Sequence, residues 1–415
     1  MAKHGVRTKE PQRDQGWLFV PAPEVGPEHP VRLLAAGVER LDLSGFLKDA
    51  KAIEGVAGRP VTSPTLLLSL WLYGIQQGIG EATELARRCQ SDAAFRWLCG
   101  GVEPSHDTLG DFRVKHLEVL QDVFTKVVGV LLHHGLVTLE HVAQDGTRVR
   151  ASAAAPSYRR EKGLLDCREQ AALHLKAVLA SADEYTAGHQ AIREAKAREF
   201  QQRVEAALVT LETEREKKKS PKEKAAVRAS TTDPEARVMK MADGGFRPGL
   251  NVQLAVAGNP VGGPRTIVGI NVTPLGSDMS SITPMVQQIE GRTGVIPDKL
   301  LADANHATLN DIKYLAARGI EALVAVPEYM LTSGPHRDTS PEVEAWRQKM
   351  QTEEALLAYR GRSPLVENVN AHVKATYALS NFVVRGVKEA TCVVLLTALA
   401  HNFVAHGQRL IDAMN

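Results

Sequence analysis

Residues 246–257, FRPGLNVQLAVA, decide the fold class, because Leu250, Val252, Leu254 and Val256 fall on alternate positions. A period of two puts those side chains on one face of a β-strand. A second β-rich run, TIVGINV at 266–272, follows closely enough to return as an antiparallel partner around Asn259–Gly263. Downstream the pattern predicts a helix over Ile282–Gly291, a strand LLAD at 300–303, a helix over Leu309–Arg318 and a strand over Glu321–Val326. Strand, helix, strand in that order implies a parallel crossover. Upstream, TLEHVAQDGTRVR at 138–150 alternates again. It reads as a strand ending at Asp145, with the Asp-Gly pair able to turn into a second short strand.

Between these strands, Arg159–Arg228 is rich in Ala, Glu, Lys and Leu, which favours helix. Ile192, Ala195, Phe200, Val204, Leu208 and Leu211 mark an apolar stripe. From Arg215 to Arg228 the segment carries seven basic residues against two acidic. A long helical hairpin is expected, serving as a dimerising coil, a DNA contact or a solvated linker. In the first part of the chain, Ser63–Pro64 form an N-cap and N1 pair ahead of Leu66, Leu67, Leu70, Trp71 and Ile75. Gly78 and Gly80 end that helix, and others follow near Glu81–Cys89, Ala93–Leu98, Thr108–His116 (capped by Asp107) and Leu117–His134. The first thirty residues, with Lys3, Arg7, Lys9, Arg13 and several prolines, read as a mobile or loosely docked arm. Ser363–Pro364 read as the start of the final helical stretch.

The expected division is therefore 1–137 (arm and helical DNA-binding domain), 138–157 (start of the catalytic core), 158–229 (helical insertion) and 230–415 (remainder of the core and C-terminal helices). With the insertion removed, the order is β-β-β-α-β-α-β-α. This is an α/β chain with the order of an RNase H-like mixed sheet, interrupted by a helical insertion and preceded by an all-α N-terminal domain.

At 415 residues the chain exceeds one ordinary core. Apolar residues at 44% and charged residues at 24% exclude a wholly disordered chain. Aromatics are scarce, so Leu, Val, Ile and Ala must fill the core. No run of 18 uninterrupted apolar residues occurs, and the N-terminus has no apolar stretch, so no membrane is expected and a cytoplasmic location is. Cys89, Cys99, Cys167 and Cys392 lie far apart with no CxxC pair, which reads as free thiols. Net charge is only +2, so affinity for nucleic acid must come from local patches. The phosphate-binding G-x-x-x-x-G-K-S/T loop, the dinucleotide G-x-G-x-x-G, the G-x-S-x-G elbow and H-E-x-x-H are all missing.

What remains is a set of acidic residues: Asp145 on the first strand, Asp303 ending the fourth, and Glu367 in the helix after the fifth. Alone, Asp145 reads as a turn residue, Asp303 as a cap and Glu367 as a residue favoured by a helix dipole. Together, on those elements of this fold, three carboxylates converge, and hard divalent cations want such oxygen ligands. Asp278, in PLGSDMSS, reads as the cap of the next helix, and His372 as incidental.

The segments QDGTRVRASA (144–153), DPEARVMKMADGGFRPGLNVQLAV (233–256), LLADANHATLNDI (300–312) and YRGRSPLVENVNAHVK (359–374) resemble the DDE transposases of bacterial insertion sequences, of the IS-five-like kind. The resemblance spans roughly residues 35–405. It implies Asp145, Asp303 and Glu367 as a catalytic triad holding Mg²⁺, with Mn²⁺ as a substitute. It also implies Tyr359, Arg362 and Lys374 as the Tyr/Arg/Lys signature around the glutamate, with Lys374 facing phosphate or solvent. The chain departs from the family pattern in two places: four residues, Ser363–Val366, separate Arg362 from Glu367 where three are usual, and Asn305–His306 replace a Gly-aromatic pair.

The partner implied is double-stranded DNA, both the terminal inverted repeats and the target, bound by a homodimer and placing the protein at the bacterial nucleoid. Arg87, Arg88, Arg96, Arg113 and Lys115 are the basic residues expected to serve binding by the N-terminal helices. The activity implied is two-metal cleavage of element ends followed by joining of the 3′-OH to target DNA. Two alternatives keep the fold: an inactive DNA-binding descendant, and a metal-dependent nuclease without joining. Glu353, Glu354 and Glu389 are weaker third carboxylates, Glu389 lying about 33 Å beyond Glu367 along a continuous helix.

Overall fold

The structure, a computed structural model, describes residues 5–14, 24–48, 50–52, 59–181, 184–330 and 337–415. Strands β1 (Thr8–Lys9) and β2 (Val61–Thr62) form a short parallel pair, and α1 spans Pro30–Glu39 between them in sequence. The amide of Gln12 donates to the Gly100 carbonyl at 2.9 Å, so this part of the N-terminal arm is docked. Helix α2 (Pro64–Gln76) begins where expected and is buried on nearly every side, from Leu66 through Ile75. That makes it a core helix rather than an amphipathic one. α3 (Ala82–Ser91), α4 (Ala93–Cys99), α5 (His106–Lys115) and α6 (Leu117–His133) follow. The cap of α5 is Ser105, whose hydroxyl accepts from the Thr108 amide. Asp107 instead lies within the first turn, where its charge complements the helix dipole.

Strand β3 (His141–Arg150) runs unbroken through Asp145–Gly146, so the Asp-Gly turn expected there does not form. The insertion leaves through β4 (Tyr158–Arg159) and returns through β5 (Ala229–Ser230), which pair with each other at its neck. Between them stand α7 (Glu161–Ala180), α8 (Ala187–Glu216) and the short α9 (Pro221–Ala226). The hairpin seam follows a repeat of seven at Leu164, Ala171 and Val178 on α7 and at Gln190, Ala197, Val204 and Leu211 on α8, with Ala207 buried between the last two. That is the spacing of a two-helix coil. Ile192 and Ala195 of the expected stripe face solvent, because a two-helix seam is narrower than the face of a core helix.

The rest of the sheet comes from β6 (Arg237–Lys240), β7 (Phe246–Asn259), β8 (Gly262–Thr273), β9 (Lys299–Ala302) and β10 (Glu321–Val324). Helix α10 (Ile282–Thr293) joins β8 to β9, and α11 (Leu309–Ala317) joins β9 to β10. The order is β10-β9-β3-β7, with β3, β9 and β10 mutually parallel and β7 antiparallel to β3. Gly249 pairs with Arg150 on one side and Arg237 on the other, so β6 and β8 lie end to end along the far edge of β7. The architecture is α/β with a mixed sheet, and the N-terminal part is helical apart from β1 and β2.

Helices α12 (Pro341–Lys349), α13 (Glu353–Arg360), α14 (Asn368–Ala375), α15 (Val387–His406) and α16 (Gln408–Ala413) complete the chain. α15 is long and apolar enough to cross a membrane by length and composition alone. Here it is the central core helix, packed on β8, α2, α5 and α6, and 61% of its apolar window is buried. Its N-terminus is closed by side chains from the segment before β6: Glu235 accepts from the Val387 amide at 2.9 Å and Asp233 from Gly386 at 3.3 Å.

Candidate active site

Strand pairing places the first two acidic residues together. Gln144 is the register partner of Ala302 in the parallel β3–β9 pair, so Asp145 and Asp303 occupy the next position on adjoining strands. Asp145 Oδ1 accepts from the Gly146 amide at 2.9 Å, and Oδ2 accepts from Asn370 Nδ2 at 3.1 Å. Burial pushes the Asp145 carboxyl above the usual range, against the pull of His306 and then Arg362. Asp303 lies just past β9, and its carboxylate makes no hydrogen bond or ion pair among the described residues.

His306 is buried beside them with Nε2 3.9 Å from Asp145 Oδ1. Neither ring nitrogen has a hydrogen-bond partner among the described residues. Burial holds this imidazole below its ordinary pKa, although Asp278, Asp145 and Asp303 all favour its charged form.

Asp278 does not cap α10; the helix starts from Ser281. It is instead the acceptor of a buried polar cluster: Oδ1 takes hydrogen bonds from Gln253 Nε2 at 2.6 Å and Asn251 Nδ2 at 2.7 Å, and Oδ2 takes one from Arg148 Nη2 at 2.8 Å. Gln144 joins through Gln253 Oε1 at 3.3 Å and Ser281 Oγ at 3.0 Å. A buried carboxylate is tolerated when so many donors converge on it. The cluster lies against β3, which carries Asp145. Only the alternation of Asn251 and Gln253 along β7 hinted at it in the sequence.

The third acidic residue sits in a non-standard helical turn. Ser363–Glu367 is a π-helical turn between α13 and α14, with Arg362 already helical before it. Ser363 therefore caps nothing, and Pro364 lies inside the turn. The extra residue between Arg362 and Glu367 has a physical counterpart here, since a π-turn absorbs one additional residue within a helix. Glu367 Oε1 accepts from Arg362 Nη2 at 2.6 Å and Oε2 from Ser363 Oγ at 2.6 Å. Glu367 precedes Asn370, the donor to Asp145, by one helical turn.

Arg362 lies 5.8 Å from the Tyr359 ring centroid. Lys374 Nζ donates to the Arg148 carbonyl at 3.1 Å. Burial, then Arg148 and Arg150, hold its pKa below the usual range. Lys374, Arg148, Arg150, Ser380 and Asn381 line a cleft of about 290 Å³.

The N-terminal cations divide. Arg87 and Arg88 are bound to Glu84, at 2.7 and 2.8 Å, and Lys115 to Asp111 at 2.7 Å, all at the surface. Arg96 is exposed. Arg113 is buried, donates to the Gly80 carbonyl and covers the Trp71 ring at 4.8 Å. Its role is internal packing, and the expectation of a DNA contact there does not survive.

Comparison with known families bears on both ends of this arrangement. Residues 22–115 match a transposase domain (DUF772), and residues 331–405 match a transposase DDE domain. Both matches support a DDE transposase. Glu367, Tyr359, Arg362 and Lys374 fall within the second match, whereas Asp145 and Asp303 lie outside both. No curated protein and no solved structure matches this transposase. DDE chemistry uses divalent metal. Among the described residues no three of His, Cys, Asp and Glu form a group that could hold an ion. The donor chemistry nonetheless fits: Asp145 is a half-buried carboxyl, and Asp303 offers oxygens that no described residue bonds.

Proposed function

We propose that this transposase cuts the ends of its own insertion sequence and joins the freed 3′-OH to target DNA, using Asp145, Asp303 and Glu367 in an RNase H-like core. One observation carries the reading: Asp145 and Asp303 follow the Gln144–Ala302 pair on adjoining parallel strands, and the helix of Glu367 reaches Asp145 through Asn370. Mg²⁺, with Mn²⁺ as substitute, would be held by Asp145 and Asp303 with Glu367 completing the site. When bound it supplies activation of the attacking oxygen and stabilisation of the leaving one. Asn370 orients Asp145 by occupying Oδ2. Arg362 and Ser363 hold Glu367 in place, and Lys374 stands where a backbone phosphate would pass. Double-stranded DNA is the partner, and processing two ends calls for a homodimer of the IS-five-like kind. The N-terminal helices read the terminal repeats.

The test uses full-length protein and duplexes ending in the element's own termini. Asp145→Asn, Asp303→Asn and Glu367→Gln are each expected to keep DNA binding and folding. Each should lose Mg²⁺-dependent nicking by about 10²–10³-fold, the scale of several kcal/mol of charge stabilisation. Nicking by Glu367→Gln at the wild-type rate would remove Glu367 from the site. Nicking by the wild type without joined product would leave a nuclease.

A further inference from the structure

The root of the helical hairpin carries charge that the active site does not use. A cleft of about 660 Å³ opens there, walled by Thr213, Lys217, Lys218 and Arg228 on the hairpin side and by Arg237, Val238 and the loop Pro274–Gly276 on the sheet side. Cations exceed anions among its lining residues, four to one, with Glu214 the only acid. Two of those cations are engaged. Lys217 pairs with Glu214 at 2.8 Å, and Arg237 donates to the carbonyls of Pro234, Glu235 and Ala236. Lys218 and Arg228, with the adjoining Lys219, Lys222 and Lys224, are exposed and make no ion pair among the described residues. This is a local excess in a chain whose net charge is only +2.

The far wall leads into the active site. Gly276 gives its carbonyl to Arg148 Nη2 at 3.0 Å, and Asp278, two residues on, takes the same guanidinium. The cleft and the Asp145 strand are thus joined by a single side chain. Its apolar members, Val238 and Leu275, are about half exposed, suited to the sugar edge of a backbone rather than to a small anion. The hairpin is held by its own seam, so the cations at its root are not needed to fold it.

We propose that this cleft holds the phosphate backbone of duplex DNA flanking the cleavage point and feeds it to the Asp145 site. The proposal rests on the transposase reading above. It can fail while that reading stands.

The experiment measures binding of full-length protein to a fluorescent 40-base-pair duplex of random sequence across a salt series. In Lys218→Ala/Lys222→Ala/Arg228→Ala the slope of log K against log salt should flatten by about 2–3, one phosphate contact per side chain. A control, Lys162→Ala/Lys176→Ala/Lys196→Ala, removes the same charge from exposed positions elsewhere on the hairpin and should change the slope by less than about 1. Equal flattening in both variants would reduce the effect to net charge and overturn the cleft. An unchanged slope in the root variant would overturn it as well. If the wild type binds no duplex at all, the DNA reading itself falls.

Discussion

Gly146 has no room for a side chain. A Cβ there would be built into Asp278 Oδ1 and Gln253 Nε2, two members of the buried cluster under β3. Gly146→Ala must therefore move β3 or break charge-assisted hydrogen bonds. It is expected to destabilise by about 1–3 kcal/mol, with activity falling because Asp145 is the preceding residue. Gly129 is the contrast: it lies within α6 with no atom near its Cβ position, so Gly129→Ala should stabilise by up to about 1 kcal/mol. Urea melts of the two variants check both signs. At this scale the acidic residues proposed for the site were readable as candidates, because the motif text around them is local. Their supports were not. Asp278, Asn251 and Gln253 meet through strand register and a loop, and polar residues on a strand or before a helix look like solvent-facing or capping groups when read alone. Arg113 misled for the same reason, since nothing in its neighbourhood in sequence announces Trp71.

One element shows how a helix can close a sheet. β8 has an open edge near Ile267, and α15 satisfies it with side chains: Asn402 Oδ1 accepts from the Ile267 amide and Asn402 Nδ2 donates to the Ile267 carbonyl, both at 2.9 Å. His401 Nε2 meets the Arg265 carbonyl at 2.8 Å, and His406 Nε2 meets Thr266 Oγ1 at 2.8 Å. Asn402→Ala leaves two buried backbone groups unpaired and should cost about 2–5 kcal/mol. Burial pushes both histidines down to about 4, against roughly 6.5 in the unfolded chain. Between those values the unfolded state binds more protons, so stability is complete above about pH 6.5 and declines as pH falls towards 4. Denaturation midpoints should follow that slope, and His401→Gln/His406→Gln should flatten it. Helix and strand periods made most such elements legible. The π-turn showed in the sequence only as one residue too many between Arg362 and Glu367. The hairpin seam was misread because a coil of two helices buries only a narrow stripe repeating every seven residues, whereas the broader stripe expected of a core helix includes residues that here face water.

For the whole molecule, the question is which pieces hold together alone. Sequence patterning separates residues 1–137 from the rest, and helix periods support that, but a period does not say which surface will cover it. In the structure one continuous apolar core runs from the N-terminal helices through the sheet to α15 and α16. α15 packs on α2, α5 and α6 from the opposite end of the chain. The hairpin is the reverse case, with a separate small core of Leu164, Ala207, Leu211 and Ala229. Its ends are already joined by the Tyr158–Ser230 and Arg159–Ala229 pairs, so a short linker can replace what lies between. Two cuts should therefore behave oppositely. Replacing residues 161–226 with a Gly-Ser linker should leave a cooperative melt close to that of the full chain, because the linker closes a gap the β4–β5 pair has already spanned. A 1–137 fragment should lose the cover of α15, expose α2 and α6, bind a hydrophobic dye and melt without a cooperative transition. The DNA reading proposed for the N-terminal helices should then need the assembled chain, and the fragment should bind DNA without preference for the element's ends. A cooperative melt by the fragment, together with end-specific binding, would show that the N-terminal helices need no cover from α15.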